Sequence, residues 1–415
     1  MRVLVAACSE RTQAMPMVPI AWALRCAGHD VLTASQPELV DTIADAGLPV
    51  VSVGRNLPLY RLWRHDQSGG HAPTELNLAE PDTPVSFAVL RDGYRDHVQW
   101  WWRSINEPMI ADLVTLCRQW RPDLVIWEAV TYAGAVAARA TGTPHARFLW
   151  TADVFALMRR RFLAEAAGQD PPERTDPLAA WLTACVERFG AGFDEELVTG
   201  QSTITFLPPS LRRADPSGID YLPVRFVPYN GRAVLPAWLR DPPERRRVAV
   251  TLGTSAIERF GRYVVPVKDI LEGLAELDVE VVATIADQEH DGLGTVPRNV
   301  RLTSYVPLDA LAASCHVVID HGGPGTVCTV LTHGVPQLVV PEEFDAPLLA
   351  GLLADTGAAE RMTPEEATAG AVRDATARLL DDPRPRAAAA ALREEARAMP
   401  SPRQLVSDLV SLAGR

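Results

Sequence analysis

The stretch "VVIDHGGPGTVCTVLTHGVPQLVVPEEFDAP", residues 317–347, joins two apolar runs through a glycine-rich turn. Residues 317–319 are typical of a buried strand, and the glycines break it before a helix that we expect to begin at about Thr326. A helix start offers unpaired backbone N–H groups and a positive dipole end, and glycine lets an anion come close. The stretch therefore predicts strand, turn and helix, with His321 and Thr326 as further donors to a phosphate.

Such turns also occur in parallel α/β proteins with nothing bound, so the rest of the chain must decide. The chain has 415 residues, too many for one ordinary core, which predicts two domains. A hydrophobic content of 47% with 22% charged residues is typical of a globular protein. The net charge of -12 argues against binding to nucleic acid or to an anionic membrane.

The N-terminal "MRVLVAACSE" has too short an apolar run for a secretory signal and is typical of a first strand. No apolar run approaches the roughly 20 residues that span a bilayer. Six cysteines lie far apart without a C-x-x-C pair, which suggests neither a zinc site nor a disulfide framework. We therefore expect a cytoplasmic protein.

Strand and helix patterns alternate in both halves of the chain, which favours parallel sheets covered by helices. A proline-rich composition shift separates the halves. We predict an N-terminal domain at 1–215, a linker at 216–243 and a C-terminal domain at 244–399, with a last helix at about 400–415 that packs back on the first domain. Ligands bind at the carboxyl ends of parallel strands, so the loops at 8–16, 128–132, 253–257 and 321–326 are expected around one cleft.

The sequence resembles the GT-B glycosyltransferases that use nucleotide sugars, especially the bacterial deoxysugar transferases of macrolide and anthracycline biosynthesis. The resemblance covers nearly the whole chain. It rests on "MVPIAWALRCAGHDVLTASQP", "WRPDLVIWEAVTYAGAVAARATGTPHARFLW", "FDEELVTGQ", "RFVPYNGRAVLPAWL" and "DHGGPGT…THGVPQLVVP". It implies an α/β fold of the GT-B type, with two Rossmann-like domains facing across a cleft. It also implies inverting transfer of a deoxysugar from a dTDP-sugar to a polyketide aglycone, with no metal or other cofactor.

The resemblance also implies that the N-terminal domain binds the acceptor and that the C-terminal domain binds the nucleotide-sugar donor. The turn residues would hold the diphosphate, Asp345 would hydrogen-bond the sugar, and Val306 with Pro307 would lie by the base, usually thymine. The diphosphate residues are Gly253, Thr254, Ser255, His321, Gly322, Gly323, Gly325 and Thr326. Purely structural roles stay open for two of these residues: Asp345 as a helix cap and Thr254 as the end of a turn.

The general base is the main departure from the family pattern. Many relatives carry a histidine in the first loop, where this chain has Gln13, and glutamine cannot take a proton at neutral pH. Glu128, at the end of "DLVIWE", is the nearest replacement, because the corresponding loop of such transferases faces the first loop and can supply a carboxylate. Partial burial would raise its pKa towards a useful range. The alternative is late proton loss, with electrostatic stabilisation of the leaving diphosphate supplying most of the acceleration.

Relatives in this family often need an auxiliary protein that resembles a cytochrome P450. We expect its contact in the segment 54–105, which contains Trp100, Trp101 and Trp102, although packing in the core also explains these tryptophans. A homodimer is left open. The alternative function is a non-catalytic auxiliary or binding subunit that has lost its base at Gln13. A dinucleotide-dependent oxidoreductase is disfavoured, because the first turn lacks G-x-G-x-x-G.

Overall fold

The structure is a computed structural model that describes residues 1–56, 82–213, 218–229, 231–341 and 344–414. The chain forms two compact units, each with one parallel sheet. Unit 1 holds Met1–Phe206, Ala214–Val224 and Pro400–Arg415, and unit 2 holds Leu207–Arg213 and Arg225–Met399. The predicted fold class, α/β with two parallel-sheet domains, is confirmed.

In the described part of unit 1, seven strands form a sheet in the order β3-β2-β1-β4-β5-β6-β7. The strands are β1 Arg2–Ala6, β2 Asp30–Ser35, β3 Val50–Ser52, β4 Leu124–Glu128, β5 His145–Leu149, β6 Ser202–Thr205 and β7 Tyr221–Pro223. The helices are α1 Arg11–Ala14, α2 Val18–Cys26, α3 Pro37–Asp45, α4 Phe87–Asp96, α5 Arg103–Trp120, α6 Tyr132–Thr141, α7 Val154–Ala167, α8 Pro177–Glu187, α9 Glu196–Thr199 and, from the C-terminus, α18 Pro402–Ala413. A π-helix, His97–Trp102, joins α4 to α5.

In the described part of unit 2, six strands form a sheet in the order β10-β9-β8-β11-β12-β13. The strands are β8 Arg247–Thr251, β9 Glu280–Thr284, β10 Val300–Thr303, β11 Val317–Asp320, β12 Gln337–Val339 and β13 Ala359–Arg361. The helices are α10 Ser255–Phe260, α11 Val267–Ala275, α12 Asp287–His290, α13 Leu308–Ala312, α14 Pro324–Leu331, α15 Ala346–Asp355, α16 Ala369–Asp381 and α17 Pro383–Ala398. Short 3-10 turns occur at Met15–Met17, Pro171–Glu173, Pro209–Leu211, Ala237–Leu239 and Asp291–Leu293.

The central strands are apolar runs, as expected for strands covered on both faces. Every residue of β4, β5, β8 and β11 is buried. Each pair of neighbouring strands is parallel, so the carboxyl ends of β1, β4 and β5 share one edge of the first sheet. The carboxyl ends of β8, β11 and β12 share one edge of the second sheet in the same way. These two edges carry the residues that the sequence singles out.

The proline-rich segment predicted as a linker at 216–243 is divided between the units at Val224. Its later part packs on unit 2, where Leu239 is buried in the apolar cluster that contains Ala249 and Val282. The indole of Trp238 lies under two guanidinium groups, with the Cζ atoms of Arg301 and Arg247 4.7 Å and 5.6 Å from the ring centroid. This packing explains why the later part of the predicted linker belongs to unit 2.

The C-terminal helix α18 belongs to unit 1, where it contacts α2, β4 and β7. Its start is a capping box. Ser401 Oγ accepts from the backbone N–H of Gln404, and Gln404 Oε1 accepts from the backbone N–H of Ser401.

Within the described ranges, no helix has both the length and the apolar character needed to cross a membrane. All six cysteines are free thiols, and Cys26 is the exposed one.

Candidate active site

The glycine turn of unit 2 joins β11 to α14. The strand ends at Asp320, Gly323 occupies the N-cap position, and α14 begins at Pro324, two residues before the predicted start at Thr326. Proline suits the first helical position because it has no N–H to leave unpaired. The predicted order of strand, turn and helix is therefore present, with the N–H groups of the first turn of α14 at the edge of the sheet.

The imidazole of His321 lies between two glycines from neighbouring strand ends. A β-carbon built on Gly253 would lie 2.6 Å from His321 Cε1, and one on Gly323 would lie 2.5 Å from His321 Nε2. Real β-carbons do not approach other atoms so closely. A side chain at either position would therefore displace the His321 ring, and Gly253 has in addition a φ of +68°, which favours glycine. The two glycines fix the ring between the turns that follow β8 and β11.

On its other side, the turn packs against the start of α15. A β-carbon on Gly322 would lie 3.1 Å from the β-carbon of Ala346, the residue after Asp345. Asp345 is 6% exposed and is the N-cap residue of α15, but its side chain makes no capping hydrogen bond. Helix capping therefore does not account for Asp345. The residue before it, Phe344, has a φ of 56°, which is uncommon for a bulky side chain.

The remaining predicted donor residues surround the same strand ends. Thr254 is exposed at the N-cap of α10 without a side-chain cap, and Ser255 is the first residue of that helix. Gly325, in the first turn of α14, faces open space. Thr326 lies beside it, partly buried.

Val306 and Pro307 lie between β10 and α13. Val306 is buried in a cluster with Val318 of β11 and Val330 of α14, and Pro307 is the N-cap residue of α13. These contacts hold the two residues on the α14 side of the sheet.

Asp320, which the sequence analysis did not single out, underlies this turn. Its side chain is buried, and Oδ1 accepts from the backbone N–H of Gly322 at 2.8 Å. Burial raises the pKa of this carboxyl from 3.8 to about 7, although the Gly322 hydrogen bond opposes the rise. A carboxyl directly before a glycine turn was a usable signal in the sequence.

In unit 1, Glu128 ends β4, and its carboxylate is fully buried. Oε1 accepts from Trp150 Nε1 at 2.6 Å and from the backbone N–H of Val130 at 3.0 Å. Oε2 accepts from Thr131 Oγ1 at 2.7 Å and lies 3.6 Å from the thiol of Cys8. Burial raises the pKa of Glu128, and the hydrogen bonds work against that rise.

Gln13 lies in α1 and is buried, with 4% exposure. Cys8 Sγ is 3.5 Å from Gln13 Oε1, so one thiol lies between Gln13 and Glu128. The structure therefore brings together in one cluster Gln13, at the usual place of the general base, and Glu128, its predicted replacement. Cys8, Thr131 and Trp150, the other members, were missed because they contact Glu128 through the order of the strands.

The three tryptophans have different environments. Trp102 is buried, with its ring centroid 5.4 Å from that of Tyr132, whereas Trp100 is 63% exposed. Part of the predicted partner segment, residues 57–81, lies outside the described residues.

No group of three or more His, Cys, Asp or Glu side chains in the described ranges is arranged to hold a metal ion.

Two family models match the chain. The model described as Erythromycin biosynthesis protein CIII-like, N-terminal domain, matches residues 22–253, and that for the C-terminal domain matches residues 268–412. The chain belongs to this family. The Erythromycin biosynthesis protein CIII-like models thus cover both units.

Members of known activity are similar over almost their full length. The 10-deoxymethynolide desosaminyltransferase of Streptomyces venezuelae is 43% identical over 424 residues, covering 100% of this chain and 98% of the relative. The tylactone mycaminosyltransferase of Streptomyces fradiae is 42% identical over 420 residues, covering 99% and 92%. The crystal structure of glycosyltransferase VinC in complex with DTDP has a TM-score of 0.88 and 37% identity, covering 100% of both chains.

This Erythromycin biosynthesis protein CIII-like chain is therefore a glycosyltransferase of the GT-B fold, and both predictions are confirmed. The comparisons do not support the alternative of a non-catalytic homologue. Which residues bind donor and acceptor is a separate question, because a shared family does not assign roles to side chains.

Proposed function

We propose that the protein transfers a deoxysugar from a dTDP-sugar to a hydroxyl of a macrolide-like or anthracycline-like polyketide aglycone, with inversion at the anomeric carbon. The activities named for the relatives, desosaminyl and mycaminosyl transfer, support the deoxysugar. The observation that carries the proposal is the His321 ring, which the bare α-carbons of Gly253 and Gly323 hold at the start of α14.

The diphosphate would bind at this turn. The N–H groups of the first turn of α14 and its dipole favour an anion, and Gly325 leaves open space at that point. His321 and Thr326 would donate from their side chains, with Gly253, Thr254 and Ser255 approaching from β8 and Gly322 and Gly323 shaping the turn. Asp345 would accept hydrogen bonds from the sugar hydroxyls, and Val306 with Pro307 would lie by the thymine.

In the reaction, the acceptor oxygen forms a bond to the anomeric carbon while the bond from that carbon to the phosphate oxygen breaks. The bonding electrons leave with dTDP, and direct displacement inverts the configuration. We infer that no metal is needed, because the helix N-terminus and His321 stabilise the charge that develops on the diphosphate.

The acceptor hydroxyl must also lose its proton. Gln13 occupies the usual place of the base and has no basic group, so Glu128 as base and late proton loss to solvent remain the two routes.

We further propose that the protein works in the cytoplasm, which six free thiols support. A P450-like auxiliary protein would contact unit 1 near Trp100, which offers a large exposed indole. A homodimer is compatible with these proposals.

The test is a transfer assay with two matched pairs: dTDP-desosamine with 10-deoxymethynolide, and dTDP-mycaminose with tylactone. Mass spectrometry measures the glycosylated product, and chromatography measures released dTDP. We expect product from at least one pair, alone or with a P450-like auxiliary protein, and none with His321→Ala. Tight dTDP binding without transfer in any combination would overturn the proposed acceptor and sugar classes while leaving the donor site intact.

A further inference from the structure

The carboxylate of Glu128 receives four hydrogen-bond donors. Two reach Oε1, namely Trp150 Nε1 and the backbone N–H of Val130, and two reach Oε2, namely Thr131 Oγ1 and the thiol of Cys8. A carboxylate has about four lone-pair sites. Three of those of Glu128 are taken up by N–H and O–H donors of unit 1, and the Cys8 thiol lies against the fourth.

Glu128 is also fully buried, as is Thr131, and Trp150 is 8% exposed. A general base must come within hydrogen-bond reach of the proton that it removes. A substrate hydroxyl could reach Glu128 only by displacing one of its donors, which would leave a buried polar group unpaired. The geometry thus disfavours direct proton transfer to this carboxylate.

These hydrogen bonds connect the loops that follow β1, β4 and β5 at the carboxyl edge of the sheet. Cys8 follows β1, Thr131 precedes α6 in the loop after β4, and Trp150 is the first residue after β5. Thr131 Oγ1 strengthens the connection by accepting from the backbone N–H of Cys8 at 2.8 Å. One carboxylate therefore ties the loops that follow three neighbouring strands. Gln13 Oε1 lies 3.5 Å from the same Cys8 thiol, whose single hydrogen can go to either acceptor.

We propose that Glu128 is a positioning residue that fixes these three loops for acceptor binding and does not remove the acceptor proton. This inference rests on the proposed function, since it assigns a role within the transfer reaction. It favours late proton loss.

Glu128→Gln is the decisive variant. A glutamine can accept from Trp150 and Val130 with its oxygen and donate to Thr131 Oγ1 with its amide, so the ties persist in a neutral form. A glutamine cannot act as a base. Glu128→Ala removes both the ties and the carboxylate. Glu107→Ala is the matched control. Glu107 also accepts a hydrogen bond from an indole N–H, that of Trp181 at 3.3 Å, but it lies on α5 and not in the loops at the edge of the sheet.

The experiment measures kcat and acceptor KM across pH for the wild type and these variants, with whichever substrate pair the wild type turns over, together with dTDP affinity. We expect Glu128→Gln to lose less than the roughly 10²-fold in kcat that marks removal of a general base, with an unchanged pH profile. We expect Glu128→Ala to lower kcat/KM for the acceptor by about 10²-fold, with unchanged dTDP affinity. Glu107→Ala should match the wild type. A loss of 10²-fold or more in Glu128→Gln, with its pH dependence abolished, would overturn the proposal, as would full activity of Glu128→Ala.

A second measurement does not depend on turnover. The indole N–H resonance of Trp150, assigned with Trp150→Phe, should move in Glu128→Ala and stay near the wild-type position in Glu128→Gln. If the wild type transfers no sugar, the proposed function fails by itself while this resonance still reports on the network. An identical Trp150 resonance in wild type and Glu128→Ala would overturn the positioning role.

Discussion

His321 packs its imidazole against the bare α-carbon of Gly253, although the two residues belong to turns after different strands. A β-carbon at Gly253 would lie 2.6 Å from His321 Cε1. The contact arises because β8 and β11 are parallel neighbours, with Thr251 opposite Asp320. A glycine on one strand thus sets the place of a histidine on the next.

Alanine substitutions at two glycines of the turn should affect stability and dTDP affinity differently. In Gly323→Ala the new methyl would lie 2.5 Å from His321 Nε2, whereas nothing lies within 4 Å of a β-carbon at Gly325. We expect Gly323→Ala to lower both Tm and dTDP affinity. Gly325→Ala should leave Tm unchanged, since alanine favours helices. It should lower the affinity for dTDP by about tenfold, because the methyl group occupies the space of the anion. Thermal melting and calorimetric titration check this, and equal dTDP affinity in Gly325→Ala and wild type would contradict it.

Asp320 predicts a pH dependence of stability. Its pKa of about 7 in the folded protein lies above the ordinary 3.8, so the folded state holds this proton more tightly than the unfolded state. The resulting stabilisation is fully present below about pH 4 and is lost as pH rises to about 7, at no more than about 1.4 kcal/mol per pH unit.

Asp320→Asn keeps the acceptor for the Gly322 N–H and removes the titration. The Tm of wild type relative to Asp320→Asn should therefore fall between pH 4 and pH 7 and then level off. A Tm difference that stays constant over this range would show that Asp320 does not titrate in this window.

The ion pair of Arg147 and Asp153 should dominate the stability of the β5–β6–β7 edge of unit 1. The Arg147 side chain is fully buried, and its Nη1 and Nη2 both donate to the Asp153 carboxylate, which also accepts from Tyr221 Oη at 2.9 Å. Arg147→Met leaves this carboxylate buried without its cation, so we expect a loss of about 3–5 kcal/mol in denaturant unfolding.

The control for that loss is the exposed pair of Arg245 and Asp278, with side chains 61% and 86% exposed. Arg245→Met should change stability by less than about 1 kcal/mol. Adding Asp153→Asn to Arg147→Met should recover part of the loss, and a double variant no better than the single one would argue against an uncompensated charge.

Trp102 and Trp100 should differ in what they stabilise. Trp102 is 2% exposed and Trp100 is 63% exposed. Trp102→Ala should cost about 3–5 kcal/mol through the cavity that it leaves, and Trp100→Ala less than about 0.5 kcal/mol. If an auxiliary protein binds at this surface, Trp100→Ala lowers the transfer rate measured with that protein and leaves the rate without it unchanged. Equal rates with and without the partner in the wild type would remove the proposal.

Much of unit 2 could be predicted from local sequence. The apolar run 317–319 and the glycines after it specify strand and turn within a few residues, and only the start of α14 shifts, to Pro324. The part played by Gly253 could not be predicted in this way, because its contact with His321 joins residues far apart in the chain.

The same limit applies to unit 1. The apolar run before Glu128 predicts that β4 ends there. The contacts of its carboxylate with Trp150, Thr131 and Cys8 depend on β1, β4 and β5 being neighbours. The boundary between the units is difficult to predict for a related reason. Proline content indicates a connection between domains, but it does not show that Trp238 stacks under Arg247 and Arg301.

Calorimetric titration of dTDP measures whether the turn at His321 binds the donor diphosphate. Wild type, His321→Ala and His333→Ala are compared, because His333 contacts Asp309 at 2.8 Å in the same unit but outside the turn. UDP and ADP serve as competing nucleotides. We expect tight dTDP binding to wild type and His333→Ala, weaker binding of UDP and ADP, and loss of dTDP binding in His321→Ala. Unchanged dTDP affinity in a folded His321→Ala variant would contradict this expectation.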